Sequence, residues 1–150
     1  MKRQLLYIVM MMAATVAAAQ QKSFRFDFGP GKLMKGYTQV TTDTKYNEET
    51  GYGFDKYSTD LQSADARKGS PLLSDYISSS KPFYFSVKLP EGNYDVKVIL
   101  GDPTGTAAAS IRAECRRLMI ENVATGKGKY ATVYFTVHVK DSLIRDSAGK

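Results

Sequence analysis

The amino-acid sequence predicts an all-β chain folded as an antiparallel β-sandwich. Three observations carry that prediction. Several short segments alternate apolar and polar residues with period two, as half-buried strands do. Turn signals separate them, among them Gly29-Pro30-Gly31, Pro90-Glu91-Gly92-Asn93 and Thr125-Gly126-Lys127-Gly128-Lys129. No helix of ordinary length is secure in the loop-rich residues 32–81, and no repeat recurs at a fixed period. Short strands punctuated by turns pack as two antiparallel layers.

The chain opens on a leader. Lys2 and Arg3 precede an apolar run from Leu5 to Val16, and Ala17-Ala18-Ala19 supplies the small residues a signal peptidase reads. The run is short of the roughly 20 apolar residues that span a bilayer. Residues 1–19 are therefore predicted to be a cleaved signal peptide and residues 20–150 one sandwich domain, secreted or periplasmic. No cysteine lies near the cleavage site to carry a lipid, and no later segment could span a membrane.

In the mature part, Phe24-Arg25-Phe26-Asp27-Phe28 alternates, with three Phe rings on one face and charge on the other. Gly29-Pro30-Gly31 stops it, since Pro brings no amide hydrogen to a ladder. Within residues 32–81, Tyr37 to Thr41 reads as a short strand. Leu72, Leu73, Tyr76 and Ile77 read as core plugs. So long a loop-rich stretch in a compact domain is either functional or holds elements that the pattern does not reveal. Phe83 to Leu89 and Tyr94 to Leu100 alternate on either side of Pro90–Asn93 and predict an antiparallel hairpin. Its inward face would include Phe83, Phe85, Val87, Leu89, Tyr94, Val96 and Val98. Ala107–Cys115 and Leu118–Val123 predict two more strands around Arg116-Arg117. Tyr130–Val139 has the clearest alternation, with Thr132, Tyr134, Thr136 and His138 opposite Val133, Phe135, Val137 and Val139. A polar tail follows.

Composition excludes several chemistries. The formal net charge is +6, but Lys and Arg are interspersed with acids and two of them belong to the leader. That is a solvated surface, compatible with weak attraction to an acidic polysaccharide, and not a nucleic-acid footprint. Cys115 is the single cysteine, so an intrachain disulfide is impossible. It reads as a small buried apolar residue. His138 is the single histidine and sits mid-strand, without spacing that ties it to a serine and an acid, so no catalytic residue is assigned. One Cys and one His do not make a zinc site, and no cofactor is indicated. Asp43, Asp55, Asp60 and Asp102 are the loop oxygens a structural calcium ion would use, but no ion is indicated, and turn chemistry and solubility account for them. The Gly-rich segments lack the spacing of a phosphate loop.

Carbohydrate binding has a clearer basis. A sugar ring offers an apolar C–H face and a rim of hydroxyls. Loop aromatics meet the face, and Asp, Asn, Arg or Gln meet the rim. Tyr37, Tyr46, Tyr52, Phe54 and Tyr57 crowd the loop-rich region, and Asp102, Arg116 and Arg117 lie at predicted strand ends. The candidate contacts are Tyr37, Tyr46, Tyr52, Asp102 and Arg116. The Gly-flanked Tyr52 and Phe54 fit the core better than the surface, while Tyr37 and Tyr46 fit either.

The runs "FRFDFGPGKLMKGYTQV", "ETGYGFD", "KPFYFSVKLPEGNYDVKVILGDP", "AECRRLMIENV" and "YFTVHVKDS" resemble the N-terminal β-sandwich of bacterial rhamnogalacturonan acetylesterase-like proteins, from about Phe24 to about Ile144. The resemblance implies a galactose-binding-like jelly roll that precedes an SGNH (GDSL-type) hydrolase domain. It implies an accessory role in a serine carbohydrate esterase acting on pectin. The partner would be a pectic plant cell-wall polysaccharide or the C-terminal hydrolase domain. The family's Gly-Asp-Ser nucleophile motif is nowhere in this chain, and Gly101-Asp102-Pro103 puts Pro where the nucleophile would stand. The expectation is therefore a truncated front end that lacks its last strand or strands and the catalytic domain. The alternatives are a stand-alone secreted glycan-binding module and a remnant without function.

Overall fold

A computed structural model of the chain describes residues 23–140, apart from Lys68 and Cys115. The leader, the inward placement of Cys115 and the tail from Asp141 lie outside the described residues. Ten strands and one short helix follow in the order β1 (Phe26–Phe28), β2 (Thr38–Val40), β3 (Tyr52–Phe54), β4 (Gln62–Asp65), α1 (Pro71–Ser74), β5 (Asp75–Ser78), β6 (Phe85–Val87), β7 (Gly92–Gly101), β8 (Ala107–Ala113), β9 (Arg117–Thr125) and β10 (Tyr130–Val139). The all-β prediction holds. The strands pair as five ribbons: β1–β2, β3–β6, β4–β5, β7–β10 and β8–β9. Among the described residues no helix is long and apolar enough to cross a membrane.

Pairing departs from the predicted hairpin. β6 does not pair with β7. It runs antiparallel to β3, with Phe85 opposite Phe54 and Val87 opposite Tyr52, while β7 runs antiparallel to β10 over ten residue pairs. The cause is energetic. On β3, β6 brings the Phe85 ring against Phe54 in the core, and Pro90 supplies no amide hydrogen to continue a tight hairpin with β7. The β1–β2 pair is parallel, another departure from the antiparallel prediction. The loop after Phe28 carries the chain back to the start of β1, where the Thr38 amide donates to the Arg25 carbonyl at 2.7 Å.

The core forms where the short strands meet. Val40 and Phe54 are fully buried. Phe54 stands edge-on to Phe28, Phe83 and Phe85, with centroids 6.2, 5.8 and 5.4 Å away, and Phe26 lies 5.2 Å from Phe85. Each such pair contributes about 0.5–1.5 kcal/mol beyond its area burial. The charged face predicted for the first strand is solvated only at Arg25. Asp27 is buried and accepts the Met34 amide at 2.8 Å. Phe24 and Phe83, predicted inward, are each more than two-fifths exposed, because β1 and β6 begin after them.

The predicted loop region holds four strands and the helix. Tyr37–Thr41 contains β2, as predicted, but β4 and β5 are polar strands without apolar alternation. The strands at Ala107–Cys115 and Leu118–Val123 appear as β8 and β9. Their ladder shifts register between Ala109 and Arg112, and their turn holds Glu114 and Arg116 at φ of 54° and 67°. β7, β8, β9 and β10 contain no fully buried residue: their apolar faces are half-buried.

Candidate functional site

The side chains suited to sugar contact converge on the β3–β4 and β5–β6 loops. β3 and β6 are short because their job is to deliver the Phe54 and Phe85 rings to the core. The chain then leaves each strand at once. β3 also passes against the Lys45–Tyr46 backbone, where the Tyr46 amide donates to the Phe54 carbonyl at 3.0 Å. Only glycine fits at position 53. Its φ is 144°, and a Cβ would lie 2.4 Å from the Lys45 carbonyl carbon and the Tyr46 nitrogen.

Beyond Phe54 the loops are stitched together. The Asp55 amide donates to the Tyr84 carbonyl at 3.0 Å. Ser58, only 2% exposed, accepts the Tyr84 amide on its hydroxyl at 2.8 Å and donates that hydroxyl to the Tyr84 carbonyl at 3.2 Å. Asp55 Oδ1 caps the turn by accepting the Tyr57 amide. The result fixes the backbone beneath rings that stay in water. Tyr57 is 68% exposed with the Lys56 ammonium 5.1 Å from its ring centroid, and Phe83 and Tyr84 are partly exposed beside it. Asp60 binds the Ser80 amide and hydroxyl, which holds its carboxyl below the ordinary range and joins the two loops again.

The sequence candidates divide. Tyr46 is joined to β3 by its amide, which donates to the Phe54 carbonyl, but its half-buried side chain engages Glu48 and Lys88, toward the other end of that strand. Its hydroxyl donates to Glu48 Oε1 at 3.1 Å, and Lys88 Nζ holds Glu48 Oε2 at 2.8 Å. The Lys88 hydrogen bond, then that of Tyr46, lowers the Glu48 carboxyl. Tyr52 is a core ring, 5.1 Å from Phe26 and 6.5 Å from Phe85. Tyr37 is half-buried in the turn before β2. Asp102 is engaged in building the β7–β8 turn, accepting the Tyr76 hydroxyl at 2.9 Å and the Thr104 amide and hydroxyl. Burial pushes its carboxyl up, but these bonds outweigh burial and leave it lowered. Arg116 occupies the β8–β9 turn, at the far end of β8 from Asp102. Its carbonyl accepts Arg112 Nη1. No hydrogen bond, ion pair or ring contact joins Tyr37, Asp102 and Arg116 to one another. Tyr84 escaped sequence reading because it was placed inside a strand.

Asp43, Asp55, Asp60 and Asp102 do not converge. Among the described residues no group of three or more His, Cys, Asp or Glu side chains is placed to hold a metal ion. The His138 ring meets Asn93 Oδ1, not a serine.

Comparison with known proteins fits this architecture. The sequence matches, over residues 24–145, the family described as Beta-agarase/YXIM esterase-like, galactose-binding domain-like. The protein called uncharacterized esterase YxiM of Bacillus subtilis (strain 168) is 38% identical over 105 residues, which are 66% of this chain and 26% of that protein. The crystal structure of the Bacillus subtilis YxiM protein superposes with a TM-score of 0.60 at 29% identity, over 78% of this chain and 32% of that one. The chain thus spans about a quarter to a third of the relatives it matches. Its fold is a β-sandwich, and it belongs to the galactose-binding-like domains of the beta-agarase/YXIM esterase-like family.

Proposed function

We propose that this chain is the non-catalytic, galactose-binding-like module of an exported carbohydrate esterase, and that it contacts a pectic, rhamnogalacturonan-type polysaccharide through the Tyr46, Tyr57 and Tyr84 loops. One observation carries the reading. Two loops locked together by Ser58 and Tyr84 present exposed tyrosine rings next to fixed hydrogen-bonding groups. Rings fixed in advance lose little conformational entropy on stacking against a sugar face. The esterase context is supported by the family and by the name of the YxiM relative. The pectic substrate is supported by the resemblance of the quoted runs, and export by the leader pattern. Acyl transfer would belong to a hydrolase domain, since His138 hydrogen-bonds Asn93.

The test is affinity electrophoresis of the chain in gels containing rhamnogalacturonan. Retardation is expected, and the Tyr57→Ala/Tyr84→Ala double variant should bind about tenfold more weakly with unchanged circular dichroism. A folded wild type that migrates freely, or a double variant retarded like the wild type, overturns the reading.

A further inference from the structure

The solvent face of the β7–β10 ribbon carries a feature that the loop site does not explain. The ladder places Asn93 opposite His138, Asp95 opposite Thr136, Lys97 opposite Tyr134 and Ile99 opposite Thr132. Side chains two apart on a strand share a face, so these four pairs form one continuous strip. Solvation alone would be served by small or charged residues. Instead the middle of the strip holds Tyr134, with two-thirds of its surface in water. Its surroundings are ordered. Lys97 Nζ lies 5.9 Å from the Tyr134 ring centroid, Thr136 donates its hydroxyl to Asp95 Oδ1 at 2.8 Å, and the His138 ring is paired with Asn93. Asp95, Lys97, Tyr134 and Thr136 line an open cleft of about 430 Å³.

We propose that this strip is a second glycan-contact surface, which takes an extended, neutral sugar chain along the ribbon with one ring stacked on Tyr134. Three features select that occupant. An exposed, positioned aromatic ring meets the apolar face of a sugar, and the flanking carboxylate, ammonium and hydroxyls meet its hydroxyl rim. The charges within the cleft balance: Asp95 would repel a polyanion and Lys97 a polycation, which leaves an uncharged polyhydroxyl chain as the complementary ligand. At about 6.8 Å for each two-residue step, four pairs extend about 20 Å, long enough for several consecutive sugar rings.

The proposal rests on the glycan-binding reading above but can fail separately. The chain and its Tyr134→Ala, Tyr134→Phe and Tyr57→Ala/Tyr84→Ala variants are run in gels containing β-1,4-galactan, a neutral polymer, or polygalacturonate, at low and high salt. Expected is retention on galactan that salt does not change, about tenfold weaker in Tyr134→Ala and preserved in Tyr134→Phe. Because Tyr134 is exposed, its variants should keep the wild-type melting temperature. If galactan retains Tyr134→Ala as well as wild type, the strip is not a glycan surface, although the loop reading survives. Salt-sensitive retention on polygalacturonate alone overturns the neutral ligand. Retention lost only in the loop double variant also overturns the strip. If neither polymer retains the folded wild type, the strip is overturned, while the loop reading stands or falls on the rhamnogalacturonan gel. If light scattering shows a dimer that Tyr134→Ala dissociates without changing retention, the face is a protein interface and the proposal is overturned.

Discussion

Asp75 shows how much one side chain can set. It is 7% exposed. Its Oδ2 accepts the Gly31 amide at 2.7 Å, and among the described residues its Oδ1 has no hydrogen-bond partner. The same carboxyl explains the Gly29-Pro30-Gly31 run, because a Cβ at position 29 would fall 2.2 Å from Asp75 Oδ2. Burial raises the Asp75 pKa. The Gly31 amide opposes that, and the nearby Asp27 and Asp65 add to it. The folded chain therefore holds this proton more tightly than the unfolded chain. The contribution to stability is complete below the unfolded carboxyl value and is lost as pH rises through the raised folded value, so ionised Asp75 is a cost at neutral pH. Asp75→Asn keeps the shape and removes the charge. It should raise Tm at pH 7 by on the order of a few degrees and flatten the decline in Tm between about pH 4 and pH 7. Calorimetry across that range checks this, and variant and wild-type profiles that run parallel would show that Asp75 does not titrate against folding.

Among the elements, the strands differ in how legible they were. β7 and β10 could be read from the sequence because each has one half-covered apolar face, and alternation records that directly. Their pairing could not be read, since alternation specifies a face and not a partner. β4 and β5 were invisible: Gln62–Asp65 and Asp75–Ser78 are held by backbone pairing of polar residues, with no apolar period to find. Buried Asp27 was misplaced for the converse reason, because a period-two reading assigns every charge to water. At the site, Tyr46 and Tyr57 were legible as loop aromatics and Tyr134 as a residue of a polar face. Tyr84 was not, because β6 begins two residues later than the alternation in Phe83–Leu89 suggested. β3 supplies an element-scale prediction. Gly53→Ala drives a methyl into the Lys45–Tyr46 backbone and forces a φ that Ala avoids, which should cost on the order of 2–4 kcal/mol in urea unfolding. The Tyr46 and Tyr57 loops hang from that strand, so glycan retention should weaken too. A variant that unfolds at the wild-type midpoint would mean that β3 can move away from residues 45–46 at little cost.

For the whole molecule, the long ribbons raise the question of what lies against them. Val96, Val98, Phe135 and Val137 are each only half-buried, although together they make the most apolar face of the β7–β10 pair. Burying such a face fully contributes about 25 cal/mol for each Å² of apolar surface, so a covering partner would stabilise the domain. In the esterase-module reading that partner is a hydrolase domain on the same polypeptide. This accords with a match to only 26% of the YxiM relative. The prediction concerns the protein in its native source. An antibody raised against residues 24–140 should detect a polypeptide several-fold heavier than residues 20–150, and hydrogen exchange should be slower in β7 and β10 of that protein than in the isolated chain. A native band at the mass of residues 20–150 would remove the hydrolase as covering partner. The stand-alone glycan-binding module would then be the reading that keeps the exposed tyrosines in use, and a half-buried ribbon face would be a property of the working protein.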